Sequence, residues 1–227
     1  MEKNSNKQAK NLLMSNYNRK DTFYKKAKEA GYRSRAAYKL LELHDKKRIF
    51  KPKAKVLELG SFPGGWLQIA AELVGPEGLV IGVDLRPLEP FRRSEFRKDL
   101  AIRPPQALMG DVNSPEIQSE LKRLGPFDVV LSDMSPKISG IAARDAAGIV
   151  ELFRLALDTA EKVLKKNGIF VAKEFPSPDI DSIFDEYKDR FKKFERTRLK
   201  STRTTSTELY VVGYGYKGKS EELSDSR

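Results

Sequence analysis

Residues 56–66 read Val-Leu-Glu-Leu-Gly-Ser-Phe-Pro-Gly-Gly-Trp. An apolar run ends at Gly60, a loop containing Pro63, Gly64 and Gly65 follows, and a helical pattern begins there and carries Trp66. Strand, glycine loop, helix is how an α/β protein seats a nucleotide-like ligand. Gly60 lets the chain turn sharply at the strand end, and Gly64 and Gly65, lacking Cβ, would let a ligand lie on bare backbone. An ordinary glycine-bearing β–α turn is the bland alternative. The spacing excludes two ligand classes. A dinucleotide fingerprint needs a glycine two residues after Gly60, where this chain has Phe62, and no G-x-x-x-x-G-K-[ST] phosphate cradle occurs. A ligand with an adenosine and no pyrophosphate remains, and S-adenosylmethionine fits that description.

The chain of 227 residues is long enough for one α/β domain with a full core, and its 39% hydrophobic and 33% charged residues are those of a globular protein. Without cysteine, disulfides, zinc–thiolate sites and cysteine nucleophiles are excluded. With no 18-residue apolar run and no signal-peptide pattern, no membrane association is expected, and a cytoplasmic location is. The net charge of +11 is concentrated: residues 1–55 hold 17 Lys and Arg against 5 Asp and Glu, and the rest is nearly balanced. A compact basic segment beside a neutral domain suggests a polyanionic partner, unless it is a solvated leader.

The pattern gives a flexible basic leader over residues 1–30, one domain over 31–216 and a polar tail over 217–227. A helix over 22–30 is followed by one that Ser34 would cap and that runs to about Arg48; its His44, the only histidine, packs rather than ligates. Strands are expected at Val56–Leu59, Leu79–Val83, Gln106–Met109, Phe127–Leu131, Gly168–Ala172, Phe194–Leu199 and Glu208–Tyr214. Helices are expected at Gly65–Val74, Pro115–Leu124, Ala146–Lys166 and Ile180–Phe191. Short apolar strands alternating with helices predict a parallel sheet covered on both faces. The last two strands, with no helix between them, should pair antiparallel.

In such sheets ligands bind beyond the carboxyl ends of the strands. Those ends carry Gly60, Asp84, Asp111, Asp133 and Lys173. Asp84 lies 24 residues after Gly60, where a nucleotide-binding unit puts its ribose acid. Asp111 suits an adenine amino group, or caps the following helix. Lys173 follows four apolar residues, where an ammonium must be paired, shift its pKa or snorkel to solvent.

These residues resemble the FtsJ/RrmJ family of RNA ribose 2′-O-methyltransferases over roughly residues 30–216. The resemblance rests on Ser-Arg-Ala-Ala-Tyr-Lys-Leu ending on Leu40, Leu-Gly-x-x-Pro-Gly-Gly-Trp ending on Trp66, Val-Asp-Leu around Asp84, Gly-Asp at Asp111, Ser-Asp-Met-x-Pro around Asp133, Lys173, and Ser-x-Glu-x-Tyr around Glu208. It implies a Rossmann-like class I methyltransferase: a seven-stranded, mostly parallel sheet, the last strand antiparallel, with helices on both faces. It also implies a Lys-Asp-Lys-Glu tetrad at Lys39, Asp133, Lys173 and Glu208. S-adenosylmethionine, released as S-adenosylhomocysteine, would be held by Gly60, Pro63, Gly64, Gly65, Trp66, Asp84, Leu85, Asp111, Val112 and Asp133, with no metal. The implied substrate is RNA, first a uridine of large-subunit ribosomal RNA, acted on by a monomer; transfer RNA, or RNA binding without catalysis, are the alternatives. Departures from the family pattern are Ser61-Phe62, Glu174, the long Arg86–Pro105 connection and the leader.

In this reading the enzyme positions a ribose oxygen and removes its proton. Lys173 is the candidate base, Asp133 and Glu208 orient, and Lys39 holds phosphate or a developing alkoxide. The basic run Lys188–Arg203 would meet phosphates, and Tyr32 and Tyr38, between arginines, would stack on a base or pack.

Overall fold

The computed structural model describes residues 22–137, 139–202 and 206–218. Most of the basic leader and nearly all of the polar tail expected from the sequence lie outside the described residues. Those described form helices α1 (Thr22–Glu29), α2 (Ala37–Lys47), α3 (Gly65–Val74), α4 (Pro115–Leu124), α5 (Ala142–Val163) and α6 (Pro178–Lys188). The strands are β1 (Lys55–Leu59), β2 (Leu79–Asp84), β3 (Gln106–Met109), β4 (Phe127–Ser132), β5 (Leu164–Glu174), β6 (Phe191–Thr197) and β7 (Leu209–Tyr216). They make one sheet in the order β3-β2-β1-β4-β5-β7-β6, parallel except for β7, which runs antiparallel to both neighbours.

Both faces of the sheet are sealed. Leu57, Leu59, Ile81, Val83, Val130, Phe170 and Ala172 point one way and meet α4, α5 and α6. Val56, Val80, Val129, Leu131, Val171 and Val212 point the other way and meet α2 and α3. This alternation of two apolar sets is what a doubly covered strand requires, and it explains the continuous apolar runs in the sequence. The strand order reverses between β1 and β4, so the loops leaving them diverge to opposite faces and open a crevice at their carboxyl ends.

Several boundaries differ from the sequence pattern for identifiable reasons. Ser34 does not cap α2: Ala36 takes that place without a side-chain bond, and the Ser34 hydroxyl packs against Gly65, where a Cβ would collide with it. Helix α5 starts at Ala142, not Ala146, because Asp145 folds the preceding turn onto itself, accepting from Ser139 N and Oγ and from Gly140 N. It stops at Val163 because Leu164 turns extended and pairs with Phe127. Ser177 caps α6, with Pro178 in its first turn, and Phe191 leaves the helical pattern to start β6. That ring stacks on Phe194 and meets Phe170 and Tyr216. His44 packs on Phe50 and accepts its backbone N–H through Nδ1.

Glu174 has a structural answer. Its side chain is fully buried, and the Arg196 Nε lies 2.7 Å from it, out of hydrogen-bond alignment, so the contact is ionic. Arg196 in turn reaches Asp181 at 2.6 Å and covers the Phe184 ring. Burial pushes the Glu174 carboxyl up, and Arg196 opposes that. Arg196→Met therefore strands a buried carboxylate and should cost about 3 kcal/mol in urea unfolding at pH 7.5. In the variant the native state holds the Glu174 proton more tightly than the unfolded chain, so its stability falls as pH rises above the unfolded value of 4.5. The deficit against wild type should thus be smaller at pH 5.5.

Candidate active site

Gly60 ends β1 with φ +76°, and a Cβ there would come within 2.9 Å of the Met134 Cα. Only glycine lets the two strand-end loops pass this closely. Between them lies a cleft of about 780 Å³ whose walls include Gly60, Asp84, Asp111, Val112, Asp133 and Lys173. Asp84, at the end of β2, accepts Phe62 N through Oδ2 and Arg86 N through Oδ1, each at 2.9 Å. Oδ2 keeps a further lone pair for a ligand hydroxyl, and the Arg86 Nε stands 3.5 Å from Oδ1. Asp111 accepts Asn113 N at 2.8 Å, and the cap of α4 is Ser114, so Asp111 is not spent on the helix. Leu85, 73% exposed, and Phe62 add apolar faces to the wall.

The four polar residues expected to act together arrive from four segments as two ion pairs. Lys39 on α2 donates to both oxygens of Glu208, at 2.6 and 2.9 Å. The Lys173 Nζ on β5 lies 3.1 Å from the Asp133 Oδ1 and donates to the Asp133 carbonyl at 2.9 Å and to the Ser135 hydroxyl. Tyr210 joins the pairs. It sits opposite Lys173 in the β5–β7 register, donates its hydroxyl to the Asp133 Oδ1 at 3.3 Å and places its ring 5.8 Å from the Lys39 Nζ. Burial, with Asp133 and Glu208 beside it, holds the Tyr210 phenol well above its ordinary pKa, so it serves as a donor.

Residues 32–216 match the FtsJ-like methyltransferase family. The chain belongs to that family. It is 40% identical over 203 residues to ribosomal RNA large subunit methyltransferase E of Methanothermobacter thermautotrophicus, covering 88% of this chain and 92% of the relative. It is 41% identical over 201 residues to the protein of the same name from Bdellovibrio bacteriovorus, covering 88% and 99%. A crystal structure of a Plasmodium falciparum protein assigned as a ribosomal RNA methyltransferase superimposes with a TM-score of 0.67 at 24% identity, covering 83% of this chain and all of that one, and shows the same fold.

Within this methyltransferase fold Gly60 and Phe62 of the glycine loop line the cleft. A Cβ at Gly64 would collide with the Phe91 ring and one at Gly65 with the Ser34 hydroxyl, so both glycines also allow close packing of the loop on protein. Trp66 is buried one layer below, packs on Tyr210 and donates to Ala36 O at 2.7 Å, which fixes the start of the helix that carries Lys39. Tyr32 and Tyr38 are packed against each other, and Tyr38 against Phe23. The departures find places too. The Ser61 hydroxyl is buried against Gly82, and Phe62 lies on the cleft rim beneath the Arg86 guanidinium, 3.8 Å away. The Arg86–Pro105 connection is held down by Arg33, which bonds Glu95, Glu89 O and Pro90 O and stacks on Phe91.

Sequence reasoning passed over Glu42, Glu58, Ser135 and Tyr210. Glu42, one turn after Lys39, accepts the backbone N–H groups of Lys200 and Ser201 at 2.7 and 2.9 Å and so holds the segment leading to Glu208. Desolvation opposes it, yet those bonds and Lys46 bring its pKa down to about 2. Glu58 was legible as a lone acid within an apolar strand. It is wholly buried with one oxygen unpartnered, and burial, then Asp133, then Asp84, raise its pKa well above 4.5.

Because the native state keeps the Glu58 proton that the unfolded chain loses above pH 4.5, this residue costs stability as pH rises. Glu58→Gln removes the titration. Its melting temperature relative to wild type should climb between pH 5 and pH 8, and a pH-independent difference would refute the buried protonated carboxyl.

Proposed function

We propose that this chain transfers a methyl group from S-adenosylmethionine to a ribose 2′-hydroxyl of RNA, with large-subunit ribosomal RNA as the substrate. The observation that carries this reading is the Lys173–Asp133 pair on the wall of the strand-end cleft, joined through Tyr210 to the Lys39–Glu208 pair. The relatives' names support ribosomal RNA as the substrate class. RNA alone offers the 2′-hydroxyl.

The cleft suits a cationic adenosine cofactor: Asp84 offers a free lone pair to a ribose hydroxyl, Asp111 to an adenine amino group, and Leu85 and Phe62 flank the base. When bound, that cofactor supplies an already activated methyl. The protein's remaining task is to hold the acceptor oxygen in place, worth on the order of 7–11 kcal/mol at best, and to take its proton. Lys173 is the basic group on the cleft wall with apolar strand behind it, and only 8% of its side chain is exposed. Lys39, bonded to both oxygens of Glu208, serves to fix that carboxylate beside Tyr210.

Lys173→Ala should bind S-adenosylhomocysteine with wild-type affinity in calorimetry and lose transfer of labelled methyl to ribosomal RNA by about 100-fold or more. Near-wild-type transfer would sink the assignment, and cofactor binding by wild type with no turnover on any RNA would favour an RNA-binding role. Asp84→Ala, in contrast, should weaken cofactor binding by roughly 10- to 100-fold, because it removes a charged hydrogen-bond acceptor.

A further inference from the structure

Three oxygens surround the Lys173 Nζ: it donates to Asp133 O at 2.9 Å and to Ser135 Oγ at 2.5 Å, and the Asp133 Oδ1 lies 3.1 Å away as an ion-pair contact. An ammonium uses the first two as acceptors. A neutral amine, the form able to take a proton, has two N–H groups and one lone pair. The carbonyl only accepts and so keeps one N–H, and the Asp133 carboxylate oxygen 3.1 Å away disfavours a lone pair pointed at it. The lone pair then faces Ser135, the one partner of the three whose hydroxyl can donate. Both residues line the cleft, but Ser135 is exposed there while only 8% of the Lys173 side chain is. The void behind Lys173, lined by Met134, Ile149, Leu152 and Phe153, measures about 10 Å³, at the lower limit for a single water. The exposed Ser135 hydroxyl, bonded to the Lys173 Nζ, thus offers a proton in the cleft a path to the base.

We propose that Ser135 is a catalytic proton relay between the acceptor ribose hydroxyl and Lys173. As the O2′–H bond breaks, its proton passes to the Ser135 Oγ while the Ser135 hydroxyl proton passes to the Lys173 Nζ. The O2′ electron pair forms the new bond to the methyl carbon, and the donor sulfur keeps the pair from the bond it loses. Ser135 ends unchanged, Lys173 ends as an ammonium, and no further reactant is needed. The proposal rests on the ribose-methylation reading above.

Two measurements on the full-length protein test it. In ¹⁵N NMR of the lysine ammonium groups, the Lys173 signal, identified by its loss in Lys173→Arg, should exchange slowly with water in wild type. It should exchange at least tenfold faster in Ser135→Ala and be slow again in Ser135→Thr. Equal exchange in wild type and Ser135→Ala overturns the placement. In methyl transfer to ribosomal RNA, Ser135→Ala should lower kcat by about 10-fold or more, the low end of general acid–base contributions being near 100-fold. KM and S-adenosylhomocysteine affinity should stay within about twofold, and Ser135→Thr should recover most of kcat. An unchanged or raised kcat in Ser135→Ala means that the acceptor oxygen displaces Ser135, and the relay falls while the ribose-methylation reading stands. Absence of transfer by wild type, with the slow exchange intact, brings down that reading and the relay with it.

Discussion

Burial of the central strands on both faces is the constraint from which the site follows. Between α2–α3 on one side and α4–α6 on the other, β1, β4 and β5 have almost no room for a polar side chain. Polar groups gather instead at the carboxyl edge, where Asp84, Asp133 and Lys173 stand at or just beyond the last apolar residue of their strands. The reversal of strand order between β1 and β4 then parts the loops, so the same edge is also a cleft. Glu58, the acid left inside the sheet, accommodates by keeping its proton.

The two lysine–carboxylate pairs make sense as positioning devices rather than as sources of stability. Lys39 and Glu208 are 169 residues apart and both mostly buried, and a pair in such a place roughly breaks even against its desolvation. What it secures is register. Trp66 fixes the start of α2, Glu42 holds the chain at Lys200–Ser201, and Thr202 donates to Glu208, so Glu208 is located from both sides. Tyr210 carries that order across to Asp133 and thus to Lys173. The Glu174–Arg196–Asp181 contacts, just past the base on the opposite face, show the same logic applied to a carboxylate with no part in the cleft.

Most of the architecture was legible in the sequence because apolar periodicity reports burial directly. β3 and α4 match the expected bounds residue for residue, and β1, β2, β4 and β7 differ by one or two positions. The larger misses, at α5, β5, α6 and β6, fall where a tertiary contact overrides the local pattern. Leu164 and Phe191 read as the last turns of helices, yet each is drawn into a strand by a partner distant in sequence, Phe127 for one and the Phe170–Tyr216 ring cluster for the other.

The sequence by itself determined the fold class and which polar residues stand at the strand ends, because apolar periodicity marks where each buried strand stops. Only the tertiary structure decided which neighbours those residues keep. That Gly64 and Gly65 pack against Phe91 and Ser34, that Trp66 supports Lys39 from below, and that Ser135 meets the Lys173 ammonium are facts of distance between segments apart in the chain. Residue order carries periodicity and local spacing; it does not carry the meeting of loops from β1, β4 and α2, which arises only when the sheet closes between its two helical layers.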